Sequence, residues 1–415
     1  MQEVTVAIDS IAAGGDGVGR TSGLVVFVPR TAPGDVAIAE ILEKGRFARG
    51  KLRDILTASV DRIEPPCPHY TRDKCGGCQL QHLAYDAQLE AKRGIIRDSL
   101  QRIGKRNVAL PPIERSPKDW RYRTKLTLAM RRGGARWIAG LHPYDDPARV
   151  FALSDCPITN REVVATWREI MEADAYFPDA KELRGSVRIT DSGPTFVMMG
   201  GQSWGARAQF LAATPSLAAV WWEPADDQPR RLLNDKRTQQ SPSASFAQIN
   251  SEMAGILRAH VIERILSYEP SSVIDAYAGA GHTALELSEK GVKVSAIELD
   301  ADASNWSAGH LQPPSRAIRA RVEDALPGLL PADLVLLNPP RAGVDARVTD
   351  TLEKEAGHLR AIVYVSCNPA TLARDVARLP SYRIESVRAF DMFPQTAHVE
   401  TVCELVPATG EPQPA

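Results

Sequence analysis

The chain has 415 residues, a net charge of −1 and a hydrophobic fraction of 44%. This length suggests roughly two or three domains with real cores, and the composition excludes a disordered or fibrous chain. Near-neutral charge excludes a uniformly basic nucleic-acid binder but not one with local basic patches. Because no apolar run approaches the ~20 residues of a membrane span and no secretory signal pattern opens the chain, we expect no membrane association and a cytoplasmic location.

Residues 1–62 alternate apolar and polar side chains between Gly and Pro turns. Strands are predicted near Val4–Ile8, Leu24–Val28 and Val36–Glu40, and this spacing is typical of a small β-barrel. Basic residues surround Phe47, a composition that suits a nucleic-acid groove or, as the alternative, a solvated strand face. The order of features resembles a TRAM-type RNA-binding barrel.

Three cysteines, Cys67, Cys75 and Cys78, are clustered after this barrel. Two glycines between Cys75 and Cys78 allow a tight turn that aims both sulfurs at one centre. Cys156, which is followed at once by proline, is predicted as the fourth thiolate. Such a set suits a [4Fe–4S] cluster or a structural zinc. One Cys-x-x-Cys pair with two isolated cysteines favours the cluster, and a zinc site that uses His69 is the alternative.

Residues 63–245 are predicted to form a strand-rich central domain. Apolar residues at helical spacing predict a helix over Tyr85–Ile103 that packs on the catalytic domain. Alternation over residues 120–128 predicts a strand with Arg121, Arg123 and Lys125 on one face. This face suits an RNA platform or an edge strand protected by charge. Residues 230–240 are predicted as a loop.

From residue 246 to 415 strands and helices alternate, which predicts a doubly wound α/β sheet. The strand Ser272–Ala276 leads into a Gly-containing loop, and the next strand ends at Glu298. A nucleoside without a pyrophosphate needs close backbone approach and an acid for its ribose hydroxyls. Asp324, after the third strand, is expected to meet the adenine amino group. These positions resemble a class I S-adenosylmethionine methyltransferase.

The strand 362–365 ends in a Ser-Cys-Asn-Pro turn that contains Cys367. Carboxyl ends of parallel strands face the ligand crevice, although an isolated cysteine is more often a small buried residue. The accompanying motifs are Phe246-x-Gln248-x-Asn250, Asn338-Pro339-Pro340-Arg341 and His398-x-Glu400. With them, residues 4–406 resemble the RNA uracil-5 methyltransferases that carry a TRAM barrel and an iron–sulfur cluster.

The resemblance implies methyl transfer from S-adenosylmethionine to C5 of an RNA uridine. Cys367 matches the nucleophile that adds to C6, and Glu400 matches the base that removes the C5 proton. The positions that match cofactor or base contacts are Gln248, Tyr277, His282, Glu298, Asp324 and Asn338. The family often has Asn at the position of His282 and Asp at that of Asn338, whose amide can still pair with uracil.

For the substrate we expect a flipped-out uridine in large-subunit ribosomal RNA, with a tRNA as the alternative, and a monomeric enzyme. A methyltransferase of exocyclic amines would need an aromatic residue where Arg341 stands, and it has no use for Cys367. An RNA 5-methylcytosine enzyme would carry a cysteine after a proline, which the motif at Asn338 lacks. An RNA-binding factor with a vestigial site would not need both Cys367 and Glu400. Cys403 is assigned to the core.

Overall fold

The computed structural model describes residues 2–134, 136–226, 228–238 and 248–408. Its first strands are β1 (Gln2–Ile11), β2 (Gly17–Thr21), β3 (Leu24–Val28), β4 (Val36–Glu43) and β5 (Phe47–Thr57). They form a closed barrel in the order β1-β2-β3-β5-β4. Alternate residues such as Val6, Val26 and Ala39 are fully buried and fill its interior. The predicted barrel is therefore confirmed.

Two helices and a short strand connect the barrel to the central sheet. They are α1 (Pro68–Thr71), α2 (Tyr85–Arg102) and β6 (Ile113–Glu114). Helix α2 has the predicted start and ends one residue earlier than predicted.

The central sheet has the order β13-β12-β11-β10-β7-β8-β9. Its elements are β7 (Lys125–Gly133), β8 (Arg136–Leu141), β9 (Phe151–Ala152), α3 (Arg161–Glu172), β10 (Glu182–Thr190), β11 (Gly193–Met199), α4 (Arg207–Ala213), β12 (Ala219–Glu223) and β13 (Arg231–Asp235). Trp167 of α3 and Phe210 of α4 pack on one sheet face. A Cβ on Gly185 would stand 2.4 Å from the Trp167 ring, so this glycine lets α3 approach the sheet closely. The opposite face carries polar side chains.

Two predictions for the central region are wrong. The strand begins at Lys125, so Arg121 and Arg123 do not share its face. Arg121 has a left-handed backbone (φ 57°), and its guanidinium binds Asp155 at 2.6 Å. This ion pair holds the preceding segment out of the strand. In the predicted loop 230–240, residues 231–235 form β13 on the sheet edge, and residues 239–240 lie outside the described residues.

The third sheet has the order β16-β15-β14-β17-β18-β20-β19-β6. Its elements are α5 (Ser251–Leu266), β14 (Ser272–Ala276), α6 (His282–Glu289), β15 (Lys293–Glu298), α7 (Ala301–His310), β16 (Arg316–Arg319), α8 (Val322–Ala325), β17 (Leu334–Leu337), α9 (Ala346–Lys354), β18 (Ala361–Ser366), α10 (Pro369–Ala377), β19 (Tyr382–Phe390) and β20 (Glu400–Pro407). Strands β14 to β18 are parallel, and β20 runs antiparallel between β18 and β19. The doubly wound sheet is confirmed.

Both faces of this sheet are covered. Val273 and Val363 belong to one buried cluster, and Ile274 and Ile362 belong to the other. Strands buried on two faces are near-continuous apolar runs, which is why the sequence predicts them. Cys403 lies fully buried in the second cluster, as expected.

The connecting segment also packs on this third sheet. Ile96 and Leu100 of α2 lie in one buried cluster with Ala373, Ala389 and Val399. Strand β6 pairs in parallel with the end of β19. The predicted boundary between residues 245 and 246 lies outside the described residues, as does Phe246. None of the helices in the described part of the chain is both long and apolar enough to cross a membrane.

Candidate active site

Cys367 and Glu400 meet at the carboxyl edge of the third sheet. Strand β18 ends at Ser366, which pairs with Thr401 in antiparallel β20. Cys367 and Glu400 lie directly beyond this last pair, and the Glu400 charge acts on the Cys367 thiol. The Glu400 side chain is buried, with 3% of the residue exposed, whereas Cys367 is partly accessible. Residues 33 positions apart in the sequence therefore form one site.

Charges around this pair shift both pKa values. Burial raises the pKa of Glu400 to about 7, against the opposing effects of the Arg341 charge and a hydrogen bond with Gln248. Burial, followed by the Glu400 charge, raises the pKa of Cys367, and Arg341 opposes this through its charge and a hydrogen bond. One guanidinium thus stabilises the anionic forms of both groups. A carboxyl group with a pKa near neutrality is suited to accept and release a proton.

The turn that carries Cys367 is fixed by its neighbours. The Ser366 hydroxyl accepts a hydrogen bond from the Asn368 backbone N–H at 3.1 Å. The Asn368 side chain caps α10 by accepting from the Ala370 N–H at 3.1 Å, and Pro369 begins the helix. Asn caps and Pro at the first helical position are favoured for this geometry. The Asn368 amide also donates to the Arg341 carbonyl at 3.3 Å, which ties the two motifs together.

The loop before Glu400 is held by the segment that follows the clustered cysteines. The Gln395 carbonyl accepts hydrogen bonds from the backbone N–H groups of Gln79 at 3.2 Å and Leu80 at 3.0 Å. The Gln395 backbone N–H and side chain both bond to the Gln88 amide, each at 2.9 Å. Gln395 itself is left-handed, with φ 70°. The position of Glu400 therefore depends on residues more than 300 positions earlier.

The loop after β14 contains three residues with positive φ. Tyr277 has φ 63°, and Gly279 and Gly281 also have positive φ. A non-glycine residue in this region is strained, and such strain collects at ligand sites. The Glu298 carboxylate accepts from the Gly279 N–H at 2.8 Å, so the loop folds over the end of β15. Gln248, which lies just before α5, forms a hydrogen bond with Glu400.

The other predicted contacts lie in different environments. Asn338 is exposed at the carboxyl end of β17. His282 is exposed at the start of α6, where its ring packs edge-on against Trp306 at 5.3 Å. The Asp324 side chain is 55% exposed and bound to Arg347 at 2.9 Å. Both side chains are exposed, and neither is among the groups that act on the pKa values of Cys367 and Glu400.

Three residues that the sequence analysis did not assign also belong to this region. Arg341 was noted only as the residue after two prolines. Among the described residues, Asp275 Oδ2 is buried without a hydrogen-bond partner, and burial raises the pKa of Asp275 to about 7, with Glu298 adding to it. The side chain of Glu323 is only 11% exposed, and its charge contributes to the raised pKa of Tyr277, whose first cause is burial. The sequence offers one signal for Asp275, namely an acidic residue near the carboxyl end of the predicted strand Ser272–Ala276.

The four predicted ligand cysteines line a single cavity. Cys67, Cys75, Cys78 and Cys156 surround a space of about 120 Å³ whose walls also include Tyr70. Burial raises the pKa of Cys75 to about 11, and the neighbouring thiols of Cys156 and Cys67 add to it. The Arg121 guanidinium donates a hydrogen bond to the Cys156 carbonyl at 3.0 Å and so fixes the loop that carries Cys156.

The surroundings of His69 bear on the alternative of a zinc site. In the described ranges, no group of three His, Cys, Asp or Glu side chains converges closely enough to hold one metal ion. The Ser154 N–H donates to His69 Nε2 at 3.1 Å, and His69 Nδ1 bonds Asp73 at 2.7 Å. Both ring nitrogens are therefore occupied, which disfavours His69 as a zinc ligand.

Comparison with known proteins matches the two ends of the chain to known families. The family described as tRNA (Uracil-5-)-methyltransferase matches residues 321–406, and the TRAM domain matches residues 1–52. An uncharacterized RNA methyltransferase of Protochlamydia amoebophila is 30% identical over 97% of both chains. Another, from Gloeobacter violaceus, is 33% identical over 97% of this chain and 96% of its own length.

Among solved structures, the Pyrococcus abyssi tRNA (uracil-54, C5)-methyltransferase in complex with S-adenosyl-L-homocysteine aligns with a TM-score of 0.72. It is 24% identical, and the alignment covers 97% of this chain and 100% of the other. This likeness shows a common fold over the whole chain.

Proposed function

Because the chain belongs to the RNA methyltransferase family of the uracil-5 type, we propose that it methylates C5 of a uridine in RNA through a covalent adduct on Cys367. The observation that carries this proposal is that Cys367 and Glu400 lie directly beyond the paired residues Ser366 and Thr401 of β18 and β20, where the charges of Glu400 and Arg341 both act on the thiol. An amino-group methyltransferase has no use for this thiol and carboxylate.

The chemistry requires a nucleophile that adds to C6 and a base that removes the C5 proton. C5 of uracil is a weak nucleophile until the Cys367 thiolate adds to C6 and moves the electron pair of the double bond into an enolate. When bound, S-adenosylmethionine supplies the methyl group that C5 attacks. The Glu400 carboxylate then takes the C5 proton, the S–C6 bond breaks, and the thiolate is restored. Arg341 favours the thiolate at the start and end of this cycle.

For the cofactor site we propose the residues of the β14 loop and the strand ends beside it. Glu298 would hold the ribose hydroxyls, and Tyr277 would pack against the nucleoside. Asp275 has a buried oxygen without a partner, which fits a site completed by a polar ligand. Asp324 is proposed at the adenine amino group, and the more buried Glu323 is the second candidate.

The remaining proposed contacts lie nearer the base. Gln248 and Asn338 would meet the uracil or the transferred group, since Gln248 bonds Glu400 and Asn338 directly follows β17. His282 is proposed as a contact at the cofactor rim.

We propose further that Cys67, Cys75, Cys78 and Cys156 hold a [4Fe–4S] cluster. The shared cavity and the occupied nitrogens of His69 support this choice over zinc. Such a cluster would fix the segment that binds Gln395, so it would serve the fold around Glu400.

The proposed substrate is large-subunit ribosomal RNA, with a tRNA as the second candidate. The expectation follows from the family resemblance of a barrel combined with a cluster. Mapping of 5-methyluridine in both RNA classes from a deletion strain would identify the target. If the deletion strain lacks 5-methyluridine in tRNA only, the ribosomal assignment is refuted.

Two substitutions test the mechanism. Cys367→Ala should abolish methyl transfer while binding of S-adenosylmethionine, measured by calorimetry, is retained. Glu400→Gln should accumulate an RNA adduct that survives denaturing electrophoresis, because the C5 proton is no longer removed. Cys403→Ala is the matched cysteine control, with transfer retained. Normal turnover by Cys367→Ala would falsify the nucleophile assignment.

A further inference from the structure

The segment that carries Arg341 is a loop that follows the carboxyl end of β17. We call residues 338–345 the arginine loop; it connects β17 to α9. Helix α10 begins just after the turn that contains Cys367, and its N-cap is Asn368. The Asn368 amide donates to the Arg341 carbonyl at 3.3 Å. The segment of the proposed nucleophile and the arginine loop therefore meet at one helix.

Two adjacent side chains of α10 bind the backbone of the arginine loop. Arg374 donates to the Ala342 carbonyl at 2.8 Å, and Asp375 Oδ2 accepts from the Val344 N–H at 3.0 Å. Gly343, between these two loop residues, has φ 80°, and a Cβ there would collide with both side chains of α10. The loop backbone lies directly against the helix, so a displacement of either side chain would move the loop.

Asp375 is itself fixed by its partners. The residue has no exposed surface, and its Oδ2 also accepts from the Tyr364 hydroxyl of β18 at 2.8 Å. Its Oδ1 accepts from the Arg374 guanidinium at 2.7 Å and lies 3.5 Å from the guanidinium of Arg378. A buried carboxylate with charge-assisted hydrogen bonds keeps one geometry, because the loss of a partner leaves a desolvated charge. The arginine loop is therefore tied to a rigid anchor.

The position of the arginine loop is important because one guanidinium acts on both proposed reacting groups. The Arg341 charge opposes the rise in the pKa of Cys367 and in that of Glu400. The energy of two charges falls with the distance between them, and a misplacement of ~1 Å at an active site can lower a rate about 100-fold. A helix that fixes the Cys367 turn and the backbone of Arg341 together sets the distance between them.

We propose that Arg374 and Asp375 are positioning residues that hold Arg341 beside Cys367 and Glu400. They act through the backbone of the arginine loop, and Arg341 in turn acts on the thiol and the carboxylate. This inference rests on the proposed function, and it adds the two side chains on which the placement of the guanidinium depends.

The test compares Arg374 with Arg378. Both guanidiniums pair with Asp375, and their side chains are 40% and 39% exposed. Within the described part of the chain, only Arg374 of the two donates to the arginine loop. Arg374→Met removes this bond and leaves Asp375 paired with Arg378, whereas Arg378→Met removes the same charge from the end of the same helix and keeps the bond. The full chain, without RNA, is treated with iodoacetamide over a range of pH, and alkylation of Cys367 is quantified by mass spectrometry of its peptide.

Arg374→Met should shift alkylation of Cys367 to higher pH, in the same direction as Arg341→Met but by less. Arg378→Met should keep the wild-type profile. In an Arg341→Met background, Arg374→Met should cause no further shift, because its effect requires the guanidinium that is already absent.

Three outcomes would overturn the inference. One is a wild-type alkylation profile in Arg374→Met, even if its melting temperature is lower, since Arg374 would then serve stability only. Another is a shift of the same size in the Arg341→Met background, which would mean that Arg374 acts on the thiol through its own charge. The third is a shift in Arg378→Met as large as that in Arg374→Met.

Methyl transfer in the same preparations separates this inference from the proposed function. With RNA extracted from a deletion strain as the substrate, Arg374→Met should lower kcat about 3- to 10-fold, as expected for one lost hydrogen bond. KM for RNA should change little, because the arginine loop is proposed to act on the reacting groups. If the variants show the expected alkylation profiles but the wild-type protein makes no 5-methyluridine, the proposed function alone is refuted.

Discussion

Replacement of Lys92 by methionine should destabilise the protein strongly, because Lys92 forms a fully buried ion pair. Lys92 and Asp391 are both completely inaccessible to solvent and bond to each other. Asp391 also accepts from the Tyr85 hydroxyl at 2.8 Å, and the Lys92 ammonium donates to the Phe393 carbonyl at 3.1 Å. Burial lowers the pKa of Lys92, and Asp391 opposes this effect. The pair joins α2 to the loop that leads into β20.

The magnitude follows from the charge that the substitution leaves behind. Lys92→Met removes one partner and leaves the Asp391 carboxylate buried with Tyr85, a change that costs about 3–5 kcal/mol. For a cooperative unit of this size each kcal/mol shifts the melting temperature by about 2–4 °C, so a decrease of roughly 10 °C is expected. The measurement is thermal unfolding followed by circular dichroism.

Two controls make the result specific to the ion pair. Lys293→Met makes the same chemical change at an exposed position of β15, and its melting temperature should stay near that of the wild type. Lys92→Met/Asp391→Leu removes both charges and should recover most of the loss, since paired replacement by apolar residues is often neutral. The reasoning is refuted if the single variant melts with the wild type, or if the double variant is as unstable as the single.

Three other predictions concern the active site and the cysteine cavity. The fraction of enzyme trapped as an RNA adduct should fall as pH rises through about 7, because Glu400 must lose its proton to act as the base; Glu400→Gln should trap adduct at every pH, and a flat wild-type profile would contradict the assignment. Arg341→Met should lower kcat about 10- to 100-fold, as expected for a lost hydrogen bond to a charged group. It should also shift the pH dependence of Cys367 alkylation to higher pH. Arg341→Lys keeps the charge and should preserve most of kcat and most of the wild-type pH dependence. Cys156→Ala should lose the brown colour of an anaerobic preparation that Cys403→Ala retains, and a colourless wild type with stoichiometric zinc would refute the cluster.

The third sheet could be predicted because its signal is local. Strands β14 to β18 are short apolar runs with turn residues at their ends, and the motifs lie at the carboxyl end of each strand. Cys367 and Glu400 were selected by their motifs, and the β18–β20 register explains physically why two distant motifs meet. The sheet fixes the positions of residues at the strand ends. Once the strands are predicted from the sequence, these residues are therefore placed as well.

The errors occur where a long-range contact overrides local preference. Alternation over residues 120–128 predicts a strand through Arg121, but its ion pair with Asp155, 34 residues away, holds a left-handed backbone that the pattern does not reveal. The edge strand β13 was missed because a polar edge strand has no apolar alternation. The partnership of Lys92 with Asp391 spans 299 residues and has no local signal.

Arg341 illustrates a different limit. Its neighbours in sequence predict a turn, and nothing in the motif says that the guanidinium reaches both Cys367 and Glu400. That convergence appears only when β17, β18 and β20 are adjacent. The sequence selects Cys367 and Glu400 as the proposed reacting groups, and the fold shows that Arg341 opposes the rise of both pKa values.

Hydrogen bonds join the cysteine segment to the loop that precedes Glu400, the proposed base. Cys78 is followed by Gln79 and Leu80, whose backbone N–H groups hold the Gln395 carbonyl, and Glu400 lies five residues beyond Gln395. Tyr122, which packs in the same buried cluster as Cys67 and Cys78, donates its hydroxyl to the Pro394 carbonyl at 3.0 Å. A group that fixes the positions of the cysteines would therefore also fix the loop that precedes Glu400. The proposed cluster would therefore have a structural role in placing Glu400, which requires no electron transfer to the proposed methyl-transfer site.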